Sequence, residues 1–337
     1  MVKINWRLVV GVVFSAAALA LILKDVSISD LAGQLTKANY LWLIPTGAIM
    51  LVSMWARARR WRALLDDRIS VSRSFHISNA GNLLNNVLPL RLGELGRAYL
   101  ASRNSTVTTM QGLSTVLIER LLDVLFVFAM LIMVLPLAPS EGFFARAGLV
   151  TAAIALVGVV SLFVAAAFRE RAVALARSFT GWLKPSLRDG LLSWGDDFLR
   201  GVSAAGGKRL AAAIGWSAVV WIGWGMTAYV TLLAFVPGSP WYVGIFVNCA
   251  LALGLTIPSA PSGAGLYEAA AVASLAVFGV PGDVALAYAI VLHVFGFLVI
   301  AVFGTIGLDR EGESFKHLTT AAQGLLATTH TPPTHAE

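Results

Sequence analysis

Charge is what this sequence has least of. Only 13% of its 337 residues are Asp, Glu, Lys or Arg, against about 25% in a soluble domain, while 58% are hydrophobic. A mean hydropathy of +0.78 assigns the chain to lipid and leaves no room for a sizeable soluble domain. Cysteine is almost missing: Cys249 stands alone in an apolar stretch, which excludes an intrachain disulfide and a cysteine-based metal cluster and reads as packing. Also missing are the Gly-x-x-x-x-Gly-Lys-Ser/Thr phosphate loop, the His-Glu-x-x-His metal helix and the Gly-x-Ser-x-Gly nucleophile elbow. Transport driven by an ATPase within the chain is therefore unsupported. No cofactor or metal is expected, and His330 and His335 in the polar tail do not amount to a metal site.

What is present is a series of apolar runs. Spanning a hydrocarbon core takes roughly 20 such residues. Runs of that kind fall at 6 to 23, 40 to 56, 111 to 137, 148 to 168, 210 to 236 and 284 to 308. Weaker ones lie at 75 to 90, 241 to 257 and 266 to 280. The first run, with Lys3 and Arg7 before it and Ala18-Leu19-Ala20 inside it, resembles a signal peptide. Cleavage there would leave an apolar terminus with no polar release region, so we read an uncleaved span. The expected fold is all-α: a polytopic membrane helical bundle with about six full spans plus two re-entrant, broken-helix hairpins in an inverted repeat.

Orientation follows the basic residues of short loops, which are retained on the cytoplasmic side. The segment 57 to 73 holds Arg57, Arg59, Arg60, Arg62, Arg68 and Arg73, and 169 to 209 is likewise basic. Both read as cytoplasmic loops at the boundary of a bacterial-type cell membrane, and both termini then lie in the cytoplasm. Residues 1–310 form the transmembrane domain, with one repeat at about 40–137 and the other at about 210–308. Residues 311–337 read as a disordered cytoplasmic tail. The net charge of +7 is placed beside apolar spans, so its partner is anionic lipid and not nucleic acid.

On this topology the weak runs must dip into the membrane, one from each side. Both are interrupted alike: Pro89 is followed by Gly93, Glu94 and Gly96, and Pro258 by Gly263, Gly265 and Glu268. In the first dip Asn82, Asn85 and Asn86 precede Pro89, and Arg91, Glu94 and Arg97 follow at a spacing that keeps them near one helical face. Either they hold an anionic headgroup, helped by the helix N-terminus, or they form a salt-bridge ladder on a surface helix. In the second dip, the prolines and glycines of 258 to 265 preclude regular helix. Either this loop lines a polar cavity with Ser259, Ser262, Tyr267 and Glu268, or it is a tight turn at the membrane surface.

Glu119, Arg120 and Asp123 sit near the middle of the run that starts at Gln111. Ionisable groups there cost about 2.5 to 3.5 kcal/mol each and generally pair or mark a pathway. A structural ion cluster is the other reading. His293, midway along the last run, is either a packing histidine or a partner for one of these carboxylates that couples movement to protons. Trp216, Trp221 and Trp224 read as anchors or packing. Arg59 and Arg60 read as a boundary surface that collects headgroups.

Four blocks together resemble a known family, the transmembrane, flippase-like region of lysylphosphatidylglycerol synthases and its stand-alone relatives. They are Arg59-Arg60-Trp61-Arg62 with Leu64-Leu65; Asn85 to Arg97; Glu119-Arg120 with Asp123; and Pro258 to Gly265 followed by Glu268. The resemblance runs over roughly residues 5 to 310. It departs at Ser262-Gly263, where the family pattern has two glycines. Members fused to a synthase domain are implied to move aminoacylated phosphatidylglycerol between leaflets. This sequence has no such domain, so synthesis of that lipid is not expected, and a separate synthase becomes a conceivable partner. Other stand-alone members are associated with glycolipid or polyprenyl-linked pathways. The resemblance therefore implies a translocase for an anionic or aminoacylated phospholipid or a polyprenyl-linked lipid. The alternative is a membrane-embedded enzyme, or a subunit of one, acting on lipid-linked substrates.

Overall fold

The computed structural model describes residues 15–16, 20, 24, 26–87, 92–103, 105–139, 143–182, parts of 184–199, 207–256 and 260–313. Among them there are helices and turns and no strand. In chain order the helices are α1 (Ile28–Lys37), α2 (Leu43–Leu64, entered through a 3-10 turn at Tyr40–Trp42), α3 (Val71–Val87), α4 (Leu92–Ser102) and α5 (Thr109–Val134). There follow α6 (Phe143–Ala167), α7 (Arg169–Phe179), α8 (Lys208–Leu232) and α9 (Trp241–Gly254). A 3-10 turn at Pro261–Gly263 then leads to α10 (Leu266–Ala276) and α11 (Gly282–Arg310).

Five stretches are long and apolar enough to cross a membrane: Tyr40–Leu64, Gln111–Leu137, Val150–Ala167, Lys208–Leu232 and Gly282–Arg310. They match five of the six expected spans, and the protein is a polytopic helical membrane protein. Most of the sixth, 6 to 23, lies outside the described residues, as do Arg91, Ser259 and the tail from 314 onward.

Helices α3, α4, α9 and α10 have 17, 11, 14 and 11 residues. At a rise of about 1.5 Å per residue the longest reaches roughly 26 Å, short of a hydrocarbon core of about 30 Å. They pair as hairpins, α3 on α4 and α9 on α10. The first is drawn tight by Gly81 and Gly93, whose backbones meet with no room for a side chain between them. Close approach through small residues is how membrane helices gain packing energy without a hydrophobic drive. The amide of Gly93, in the first turn of α4, donates to Asn85 Oδ1 at 2.8 Å, so Asn85 satisfies a donor that the helix start leaves open.

The two hairpins are set among four long helices by reciprocal contacts. Helix α2 packs on α8, α3 packs on α11, and α9 packs on α5. Exchanging the set α2–α5 with α8–α11 carries these contacts onto one another, as it does α4 on α5 and α10 on α11. Two apolar cores follow the same division, one around Trp61, Leu84 and Leu100 and the other around Leu232, Leu275 and Tyr288.

One boundary differs from the sequence reading. The run expected to end at residue 56 continues as helix to Leu64, so Arg57, Arg59, Arg60 and Arg62 lie on the last turns of α2 and not in a loop. The count of basic residues placed them outside lipid, but each finds a partner on a neighbouring segment. Arg62 Nε, for example, donates to the Ile69 carbonyl at 3.1 Å. In the other basic segment, Arg169–Phe179 is helical where a loop was expected.

The Gly81 and Gly93 contact gives a direct test. Gly93→Ala should lower stability by about 1–3 kcal/mol through overpacking. Gly215→Ala, on α8 with nothing near its missing side chain, should be neutral or stabilise by up to about 1 kcal/mol. Thermal unfolding of the two variants in detergent measures the difference.

Candidate functional site

The intramembrane charges form one network. Arg60, only 1% exposed, donates from Nε to Glu119 Oε1 at 3.2 Å and from Nη1 to Asp123 Oδ1 at 2.7 Å. It also reaches Ser217 Oγ on α8 at 3.3 Å. Glu119, fully buried, is held from its other side by Arg97 of α4. The Arg97 guanidinium lies 4.3 Å from the centre of the Trp61 ring, a cation–π contact, and Trp61 Nε1 donates to Thr115 Oγ1 at 3.0 Å. Asp123 accepts from Trp221 Nε1 at 3.0 Å and pairs with Arg120 at 3.3 Å. Arg120 also pairs with Glu94 at 3.5 Å. Four helices, α2, α4, α5 and α8, are thus tied at one point. In a medium without water, a buried charge persists only when it is paired and hydrogen-bonded in this way.

Arg60 therefore does not share the boundary surface on which it was expected with Arg59. Burial moves it into the network, and Arg59 alone stays near the surface, its guanidinium 5.4 Å and 5.3 Å from the rings of Trp55 and Trp216. Nor do Arg97 and Glu94 form a ladder along α4, because each turns to a partner on α5. On the near edge of the network Arg57 donates from Nη1 to Asn82 Oδ1 of α3 at 2.7 Å. One turn further on, Asn86 Nδ2 donates to the Asn82 carbonyl at 2.9 Å.

Asn86 opens onto a cavity of about 250 Å³ that both hairpins bound. Its polar lining also includes Trp224, Asn248, Ser262, Tyr267 and His293. Helix α3 packs directly on the Pro261–Gly263 turn, so the two interrupted segments meet here. Glu268 stands behind the cavity: its Oε1 lies 2.7 Å from His293 Nδ1, and its Oε2 accepts from the Gly265 amide at 2.7 Å. His293 Nε2 lies 3.1 Å from the Ser262 carbonyl, which can only accept, so Nε2 carries a hydrogen. A hydrogen bond across the 2.7 Å contact between Nδ1 and the carboxylate needs a proton on one of the two groups. Tyr267 stacks on the imidazole at 4.2 Å between ring centres.

The family model described as the lysylphosphatidylglycerol synthase TM region matches residues 8–304. The chain belongs to that family. No curated protein matches its sequence. Family membership and the five apolar helices establish a multi-pass membrane protein with a role related to membrane lipid. The family pattern also has a physical reason in the second hairpin. Ser262 has φ +55° and Gly263 φ +77°, both in the left-handed region where a side chain is unfavourable. A second glycine at this position is the unstrained choice. The Ala260 amide on the same turn donates to Ser15 Oγ at 3.0 Å, which brings the N-terminal segment against it.

The sequence residues thus separate into two groups. Arg60, Glu94, Arg97, Glu119, Arg120 and Asp123 pair among themselves, and Asn86, Ser262 and Tyr267 line the cavity with Glu268 behind it. Asn82 stands between the groups. Not singled out from sequence were Asn248, Ser217, the pairing role of Trp221 and the specific partner of His293. Asn248 carried a signal, as a lone amide in the apolar run of α9.

Removing the central carboxylate should be severe. Glu119→Gln leaves two buried guanidiniums short of a charge and should cost about 3–5 kcal/mol. Glu94→Gln, at a part-exposed pair whose Arg120 retains Asp123, should cost about 1 kcal/mol or less. Equilibrium unfolding in detergent distinguishes the two.

Proposed function

We propose that the protein is a lipid translocase, a flippase or scramblase, in which a phospholipid or polyprenyl-linked headgroup enters the cavity between the hairpins while its chains remain in lipid. The observation that carries this reading is a cavity between the two hairpins, lined mostly by apolar side chains but with Asn86 on one side and Ser262 on the other. Broken helices that meet at a polar site are the plan of many secondary transporters. In this reading the pairs α3–α4 and α9–α10 are re-entrant, and 40–137 and 210–308 are repeats of opposite orientation. The reciprocal packing of α2–α5 and α8–α11 supports the repeat. So does a spacing in the sequence: Asn79 precedes Pro89 by the same interval as Asn248 precedes Pro258, and both asparagines have a buried Nδ2 with no acceptor among the described residues.

Asn82, Asn86, Ser262 and Tyr267 contact the headgroup in this account, joined by Arg91 and Ser259, which follow Pro89 and Pro258 in the sequence. The Glu268–His293 pair offers a proton-bearing group beside it. Glu119, Asp123, Arg60 and Arg97 act by holding the first hairpin in place. Rocking of one repeat on the other would alternate access, with both termini in the cytoplasm.

The same Glu268–His293 pair favours a second reading, a membrane-embedded enzyme that uses it as acid and base on a lipid-linked substrate. Reconstitution separates the two. Purified protein in liposomes should move a headgroup-labelled anionic phospholipid between leaflets without altering it, and Ser262→Trp, which fills the cavity, should abolish movement while the protein stays folded. A chemically changed lipid would replace the translocase with the enzyme.

A further inference from the structure

The charge network does not balance. Four guanidiniums, those of Arg57, Arg60, Arg97 and Arg120, face three carboxylates, those of Glu94, Glu119 and Asp123. The excess rests on Arg57. Arg60, Arg97 and Arg120 each hold at least one carboxylate, but among the described residues none forms an ion pair with Arg57. Its acceptor is a neutral amide oxygen, Asn82 Oδ1, and its Nε is buried with no partner among the described residues. It also lies within the fields of Arg60, Arg97 and Arg120, opposed by Glu119. A cation held in a membrane helix without its own counter-ion is costly, and by default such a residue marks a functional position.

Its placement indicates what it awaits. Arg57 stands behind the cavity wall: it is joined through Asn82 to Asn86, one helical turn away on α3, and of these three Asn86 is the one that lines the cavity. A guanidinium has five N–H donors in a planar fork suited to two oxygens of one anion, and among the described residues the Arg57 fork is engaged through Nη1 alone. We propose that Arg57 is the anion-binding residue of the cavity and takes a phosphate group, so that an anionic headgroup supplies the missing counter-charge. The lipid source of that phosphate rests on the translocase reading; the charge imbalance does not. One negative charge completes the network, so an anionic phosphodiester fits, and a zwitterionic headgroup brings a cation with it.

The test is binding, measured apart from transport. Full-length protein in detergent is titrated with phosphatidylglycerol, phosphatidylcholine or inorganic phosphate, and the thermal midpoint is followed, since a ligand of the native state raises it. Wild type should be stabilised by phosphatidylglycerol more than by the other two. Arg57→Gln should weaken that affinity by about tenfold or more, the loss expected for a charge-assisted contact. Arg57→Lys, which keeps the charge but not the fork, should lose less. Because no native ion pair is removed, Arg57→Gln without lipid should unfold no lower than wild type. Unchanged phosphatidylglycerol affinity in Arg57→Gln would overturn the proposal, as would a lower midpoint at unchanged affinity, which would make Arg57 structural. Inorganic phosphate binding as tightly as phosphatidylglycerol would overturn the lipid source. Arg57-dependent binding without lipid movement in liposomes would count against the translocase reading alone.

Discussion

The carboxylate of Glu119 is fully buried in a helix that crosses the membrane, and the structure is arranged around keeping it charged. It is gripped from two sides, by Arg60 of α2 and Arg97 of α4. Lipid supplies no hydrogen bonds, so each of these groups is affordable only because the others are present. The consequence is mechanical. Helix α4 is too short to be held by spanning, and its position is set by this ion pair and by the glycine contact with α3. Through Asp123, Trp221 and Ser217 the same knot ties in α8, the first long helix of the other half.

The two hairpins are fastened differently. The first is fastened by charges that pair with one another and by Asn85 at the start of α4. The second has a single carboxylate, Glu268, which both closes the start of α10 by accepting from Gly265 and pairs with His293. One half is therefore a rigid, charge-locked wedge. The other is a turn in left-handed backbone beside a hydrogen-bonded carboxylate and imidazole. The cavity lies where the two meet; Asn248 brings a donor without an acceptor among the described residues to its wall, and Arg57 stands behind the wall, beyond Asn82. Site and scaffold are in this sense separate: most of the charges that drew attention in the sequence serve the scaffold.

The breaks were legible in the sequence because proline and glycine clustered inside an apolar run interrupt its helix, and Glu119, Arg120 and Asp123 were legible because charge at that depth demands a partner. Arg60 was not. A run of arginines at the end of an apolar segment has the composition of a membrane boundary, and only the geometry of α5 beside α2 reveals that one member of the run turns inward. Asn248 escaped notice, and Trp224 was read as an anchor or packing residue, for a related reason: nothing in an otherwise apolar helix announces which face borders a cavity. The equal spacing of Asn79 to Pro89 and Asn248 to Pro258 was present throughout but acquires meaning only once both amides are seen to be buried. The strain at Ser262 was half visible, as a departure from the family's paired glycines, and its cause is the positive φ.

In the proposed translocase, the cavity that Asn86 and Ser262 border must change shape for lipid to pass. In a Cys249→Ser background, cysteines at Asn86 and Ser262 test this most directly. A short bifunctional thiol reagent should join them in the membrane-embedded protein and stop lipid movement in liposomes, while either single cysteine treated alike leaves movement intact. Failure to cross-link, or a cross-linked protein that moves lipid at the wild-type rate, would contradict it.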